Sequence, residues 1–183
     1  MSGVRLARPV DAQAIAAVEV ETWRTTYAGI LPDEVLVGLS VDGRTRHWRT
    51  ELERAPKGIW VWRDNSGAIS GFGQCGRQRD LSLPFQGEIS MLYVQTDAQD
   101  NGIGRQLLLA LLATLLASDC RTILTWVLRS NPSRYFYDHM GARALLERQI
   151  PVAGHLIDAV GYGWDDPSLV LDRWVRSGHH WAP

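Results

Sequence analysis

The sequence predicts an α+β fold with a mixed, mostly antiparallel central sheet flanked by helices, and three observations carry that prediction. Two strand-like runs, 58–63 and 68–77, are separated by Asp64-Asn65-Ser66-Gly67, a strong turn signal, and read as a hairpin. In the middle of the chain an apolar strand (88–94), a leucine-rich helix (102–117) and a further strand (122–128) follow one another as a β-α-β crossover. Near the end, 142–152 and 155–164 form an antiparallel pair that turns at Ala153-Gly154.

The remaining elements fit around these. Residues 4–8 alternate as a short strand, and Asp11 then caps a helix on which Ile15, Val18 and Thr22 share a face. Trp23, Tyr27 and Ile30 lead through Gly29 and Pro32 into shorter helical pieces at 34–39 and 43–54, a helical flap. A polar loop (79–84) precedes the central strand. Asn131-Pro132 opens a short helix, with Asn at the cap and Pro at its first position, and Gly141 closes it. Residues 168–176 read as a last short helix before a loose tail.

With 183 residues, 45% of them hydrophobic, the chain suits a single domain, 1–183, with its motifs in a core at 4–165 and a C-terminal extension at 166–183. A net charge of -1 supplies no overall basic field, which argues against a nucleic-acid partner. The leucine-rich helix is interrupted by Thr114 and falls short of the roughly 18 residues of a membrane span. Arg5, Arg8 and Asp11 break up the start where an export segment would be apolar, so a cytoplasmic location is expected. Cys75 and Cys120 are far apart in apolar contexts and read as core packing. No metal cluster is expected: His139 reads as a helix-end cation, and His179 and His180 lie in the tail.

The chemistry concentrates at Gln99-Asp100-Asn101-Gly102-Ile103-Gly104, between the central strand and its helix. Two glycines there let the backbone turn tightly and offer N–H groups to an anion at the positive end of the helix dipole. A dinucleotide fingerprint would need glycine at Leu107, and a Walker loop would need Gly-Lys-Ser/Thr where Gly104 is followed by Arg105 and Gln106. Neither pattern matches.

What remains, Gln-x-x-Gly-x-Gly between an apolar strand and a long helix, resembles the pyrophosphate loop of the Gcn5-related N-acetyltransferases. The segment Asn131-Pro132-Ser133-Arg134-Tyr135-Phe136-Tyr137-Asp138-His139-Met140-Gly141 resembles that family's second coenzyme segment. The resemblance implies an acetyl-coenzyme A-dependent N-acetyltransferase of that fold, acting on a small-molecule or peptide amine without a covalent enzyme intermediate. It places Leu92, Tyr93 and Val94 against the pantetheine amides, and Gln99, Asp100, Asn101, Gly102, Ile103, Gly104 and Arg105 around the pyrophosphate. Where the family often has Gly-Arg ahead of the first motif glycine, this chain has Asp100 and Asn101, which shifts the burden to backbone N–H groups and Arg105.

By the same resemblance Asn131 lies near the pantetheine, Tyr137 near the coenzyme sulfur, and Glu88 where the family often keeps its base. A phenol with a pKa near 10 keeps its proton at neutral pH for a departing thiolate, and an ammonium must lose one before it can attack. Each residue also has a plain structural reading: Glu88 as an ion-pair partner of Arg77 or Arg79, Asn131 as a helix cap, Tyr137 as core. Trp23 and Tyr27, where the first helix enters the flap, read either as an aromatic wall of the acceptor site or as packing. A homodimer is a further implication of the resemblance. A non-catalytic acyl-coenzyme A sensor and a nucleotide-binding protein of another type remain alternatives.

Overall fold

The structure is a computed structural model that describes residues 2–54 and 57–176. The predicted tail with His179 and His180 lies outside the described residues. The elements run β1 (Gly3–Leu6), α1 (Ala12–Thr26), α2 (Asp33–Gly38), α3 (Val41–Arg54), β2 (Ile59–Arg63), β3 (Ile69–Arg77), β4 (Gly87–Val94), α4 (Ile103–Ala117), β5 (Ile123–Leu128), α5 (Arg134–His139), β6 (Arg143–Val152), β7 (His155–Trp164) and α6 (Ser168–Arg176). The strands form a sheet in the order β1-β2-β3-β4-β5-β7-β6. The β4–β5 pair is parallel, as a helical crossover requires, and the β1–β2, β2–β3, β5–β7 and β6–β7 pairs are antiparallel. The α+β prediction therefore holds.

The described chain divides into two compact units, and β3, β4 and α4 each contribute to both. The first unit holds the residues up to Gln74 together with Met91–Leu111. Its core joins Ile15, Ala16 and Val18 of α1, Trp48 and Leu52 of α3, and Ile59, Val61 and Phe72 of the hairpin. Trp48 and Phe72 meet edge-on at 5.0 Å. One carboxylate is sunk into this core: Glu19 is 3% exposed and accepts Arg44 Nε and Nη2 and Trp48 Nε1, each at 2.7 Å. Three charge-assisted or buried donors offset its desolvation and tie α1 to α3.

Glycines set how closely α4 approaches β3. A Cβ on Gly73 would lie 2.6 Å from Leu111 Cδ1, and one on Gly71 would lie 3.1 Å from Ile103 Cγ2 and Leu107 Cδ1. The leucine face of α4 therefore rests directly on the hairpin's backbone.

The second unit holds Cys75–Ser90 and the described chain from Leu112 onward. Cys75 and Cys120 are buried, and burial, with Cys120 nearby, pushes the Cys75 thiol up to about 12. The β6–β7 hairpin turns through Ala153 (φ 49°) and Gly154 (φ 85°), the left-handed pair that a two-residue turn needs.

Two local expectations are corrected. Asp11 does not cap α1 with its side chain. It accepts from Arg8 N at 2.7 Å and from Arg5 Nη1 and Nη2 at 2.7 and 2.8 Å, closing the 3-10 turn Pro9–Asp11 that precedes the helix. The helix expected from Asn131-Pro132 starts later, at Arg134. Asn131 still organises its entry, because its Oδ1 accepts from Ser133 N at 2.9 Å. Gly141 ends it as expected, at φ 79°.

Candidate active site

In the first unit, β4 ends at Val94 and a 3-10 turn, Thr96–Ala98, carries the chain to Gln99. Gln99 Nε2 donates to Val94 O at 3.1 Å and Asn101 Nδ2 to Gln99 O at 2.9 Å, so both carboxamides hold the turn's shape. Asp100 (φ 60°) and Gly102 (φ 74°) take left-handed conformations. Aspartate tolerates that region and glycine favours it, which is why this sequence can fold back so tightly. Asp100 and Asn101 are exposed.

The helix ladder of α4 begins where Gln106 N donates to Gly102 O at 3.1 Å. The amides of Ile103 and Gly104 precede that bond, at the positive end of a 15-residue helix. A Cβ on Gly102 would lie 3.0 Å from Arg105 Nη2, so the guanidinium lies over the glycine. Backbone amides, a helix dipole and a cation thus converge, the donor set that suits a pyrophosphate.

Upstream of the turn, Leu92, Tyr93 and Val94 are half-buried. The Tyr93 side chain joins the two residues expected at an acceptor wall. Trp23 Nε1 donates to Tyr93 Oη at 3.3 Å, and Trp23 meets Tyr27 edge-on at 5.3 Å. Burial pushes the Tyr93 phenol well up, the Tyr27 phenol and Glu19 add to the rise, and the Trp23 hydrogen bond opposes it. Tyr93 therefore stays a neutral phenol. Tyr27 is only 8% exposed, whereas Trp23 is half-buried and offers more surface.

In the second unit, Glu88 lies on β4 opposite Leu124 of β5 in the parallel register. Its side chain is 13% exposed, and Arg79 Nε lies 3.6 Å from Oε2. The expected arginine neighbour is therefore Arg79. Asn131 is buried beside α5. Tyr137, also buried, sits among the rings of Phe136 (5.3 Å), Tyr162 (5.8 Å) and Trp164 (6.3 Å). Glu88 and Tyr137 thus belong to separate groups, one ionic and one aromatic. Among the described residues no group of three or more His, Cys, Asp or Glu could hold a metal ion, and no helix is long and apolar enough to cross a membrane.

Three functional candidates escaped sequence reasoning. The Tyr93 side chain was expected only as part of a strand backbone. Arg148 and Asp80 form a 2.8 Å ion pair, and the Arg148 guanidinium carbon lies 4.3 Å from the centre of the Trp126 ring, over its face. Their separations in sequence leave no local pattern to read.

A strand that runs through a glycine turn into an apolar helix, a parallel crossover and a short helix whose entry Asn131 shapes follow in the order expected of the acetyltransferase fold. Residues 19–142 match the acetyltransferase (GNAT) family. The chain is 33% identical over 170 residues to the uncharacterized N-acetyltransferase YuaI of Bacillus subtilis, covering 93% of this chain and 96% of that one. Its fold is similar to that of an N-acetyltransferase from Staphylococcus aureus, at TM-score 0.69 and 21% identity, covering 90% of this chain and 98% of that one. It is equally similar, at TM-score 0.69 and 20% identity, to yncA from Salmonella typhimurium, solved with its cofactor acetyl-CoA, covering 100% and 98% of the two chains. The chain belongs to the GNAT acetyltransferase family. It is an acetyl-CoA-dependent N-acetyltransferase.

Proposed function

We propose that the protein holds acetyl-CoA on the Gln99–Arg105 turn and passes the acetyl group directly to an amine, with Glu88 as base and Tyr137 as acid. The observation that carries this reading is Gly102, left-handed beneath the Arg105 guanidinium at the head of an apolar helix, a cradle that a Cβ would fill. The backbone of Leu92, Tyr93 and Val94 and the carboxamide of Asn131 line the pantetheine in this scheme. Trp23 and Tyr27 border the amine. The thioester supplies the activated acetyl carbonyl. Glu88 takes a proton from the acceptor ammonium, so that its nitrogen has a lone pair with which to form the C–N bond. As the C–S bond breaks, Tyr137 Oη gives its proton to the leaving sulfur, and the proton still in excess on the new amide nitrogen passes to the Tyr137 phenolate, which leaves a neutral amide.

The same reading treats residues 1–183 as one catalytic domain, supported by a family match that runs through residues of both compact units. It places the protein in the cytoplasm. A homodimer is part of it, as the family resemblance implies. Calorimetric titration with acetyl-CoA tests the donor site. Gly102→Val should weaken binding ~10-fold or more, because a β-branched residue is strained at positive φ and its side chain displaces Arg105. Equal affinity in the variant, or no binding by the parent protein, overturns the assignment.

A further inference from the structure

The face of β4 and β5 that carries Glu88 has a second set of charged groups within the same unit. Glu88 pairs in register with Leu124, and Trp126 is the next β5 residue on that face. On β7 the position beside Trp126 is Gly161, where a Cβ would lie 3.1 Å from both Trp126 Cζ3 and Leu146 Cβ. Missing a side chain there, β7 lets residues of β5 and β6 meet across it. Arg148, two residues along β6 from Leu146 and paired with Ala159, lies on the same face. Its guanidinium lies 4.3 Å over the Trp126 ring, and Nη1 bonds Asp80 Oδ2 at 2.8 Å.

The contact with Asp80 does not account for the arginine. Asp80 already accepts from Ser82 Oγ at 2.6 Å and Ser82 N at 3.1 Å, which closes its loop locally. Contact with the indole face holds the guanidinium in place, and one bond to Asp80 leaves most of its five N–H groups to offer elsewhere. Arg79, next to Asp80 in the loop, reaches Glu88 at 3.6 Å. The patch therefore alternates in sign, with Glu88 and Asp80 against Arg79 and Arg148. A simple amine would bring its ammonium towards two guanidiniums, whereas a zwitterion can set its ammonium towards Glu88 and its carboxylate towards the arginines.

We infer that Arg148, with Arg79, receives a carboxylate of the acceptor, so that the substrate class is amines bearing an acid group, with α-amino acids the simplest members. This rests on the acetyltransferase reading with Glu88 as base. The test compares kcat/KM for amino acids with that for the amines they become on decarboxylation, such as phenylalanine against phenethylamine. The parent enzyme should favour the acid ~10-fold or more, the range expected of one charge-assisted hydrogen bond. Arg148→Gln should lower the acid-to-amine ratio ~10–100-fold, chiefly by raising KM for the acid, and Arg148→Lys should restore part of it. A parent ratio near one, or equal losses on acid and amine in Arg148→Gln, overturns the proposal even if the variant folds poorly. Turnover of simple amines without acid preference sinks this inference alone. Absence of thiol release with either class sinks the acetyltransferase reading as well.

Discussion

Glu88 is held by β4 with its carboxylate largely sheltered, while its partner Arg79 is 79% exposed. A pair with one solvated member adds little to stability, which leaves the carboxylate available for proton transfer. Glu88→Gln keeps the shape and removes the proposed base, so kcat should fall ~10²–10⁴-fold while acetyl-CoA binding persists. Tyr137→Phe keeps the ring contacts with Phe136, Tyr162 and Trp164 and removes only the hydroxyl. Its kcat should also fall ~10²-fold or more, with the coenzyme titration unchanged. Steady-state turnover beside calorimetry separates these roles, and undiminished kcat in either variant removes that residue from the mechanism. Glu88 and Tyr137 were legible as candidates because motifs flank them. The phenol of Tyr93 was not, because its partner Trp23 lies 70 residues away and nothing local announces the hydrogen bond.

At the scale of elements, the glycines of β3 show why a strand can be read while its packing cannot. The run Ile69–Arg77 was legible as the second arm of a hairpin from its turn and its apolar residues. That Gly71 and Gly73 serve to admit the α4 leucines depends on the β3–α4 contact, a tertiary relation without local signal. Gly73→Ala should destabilise the fold by ~1–3 kcal/mol, since its Cβ would sit 2.6 Å from Leu111 Cδ1. Leu111→Ala alone should cost ~2–5 kcal/mol through the cavity it leaves. Combined, the two should cost less than their sum, because the new methyl occupies space the leucine vacates. Urea midpoints of the two singles and the double complete the cycle, and simple additivity would refute the contact.

For the whole molecule, the order of elements was legible and the placement of β7 between β5 and β6 was only latent. A hairpin does not say which of its strands docks inward. The physical signal was present in composition: β7 closes with Ala159–Trp164, all buried, while β6 carries Arg143, Glu147, Arg148 and Gln149 exposed, as an edge strand does. Stability against pH also belongs to this scale, because groups throughout the chain set its two limits. The Asp80 carboxyl is held down to about 2, first by Ser82 and then by Arg148. Burial raises Asp11 and Glu51, but both lie below their ordinary range because Arg5 with Arg8, and Arg54 with Gln74 and His47, together outweigh it. These carboxylates contribute stability above their unfolded pKa of about 4 and lose it as pH falls towards about 2. At the alkaline limit the signs reverse. Burial holds the Cys75 thiol near 12 and raises the phenols of Tyr93 and Tyr162, so their neutral forms favour the fold. That contribution is complete below the unfolded thiol pKa of about 8.5 and is lost as pH rises through the folded value. The melting temperature should therefore form a plateau between about pH 4 and 8.5 with a limb on each side. Cys75→Ala should lower the plateau slightly through lost packing and flatten the limb between about 8.5 and 10, before the tyrosines titrate. An alkaline limb of unchanged slope in that variant would show that Cys75 does not carry it.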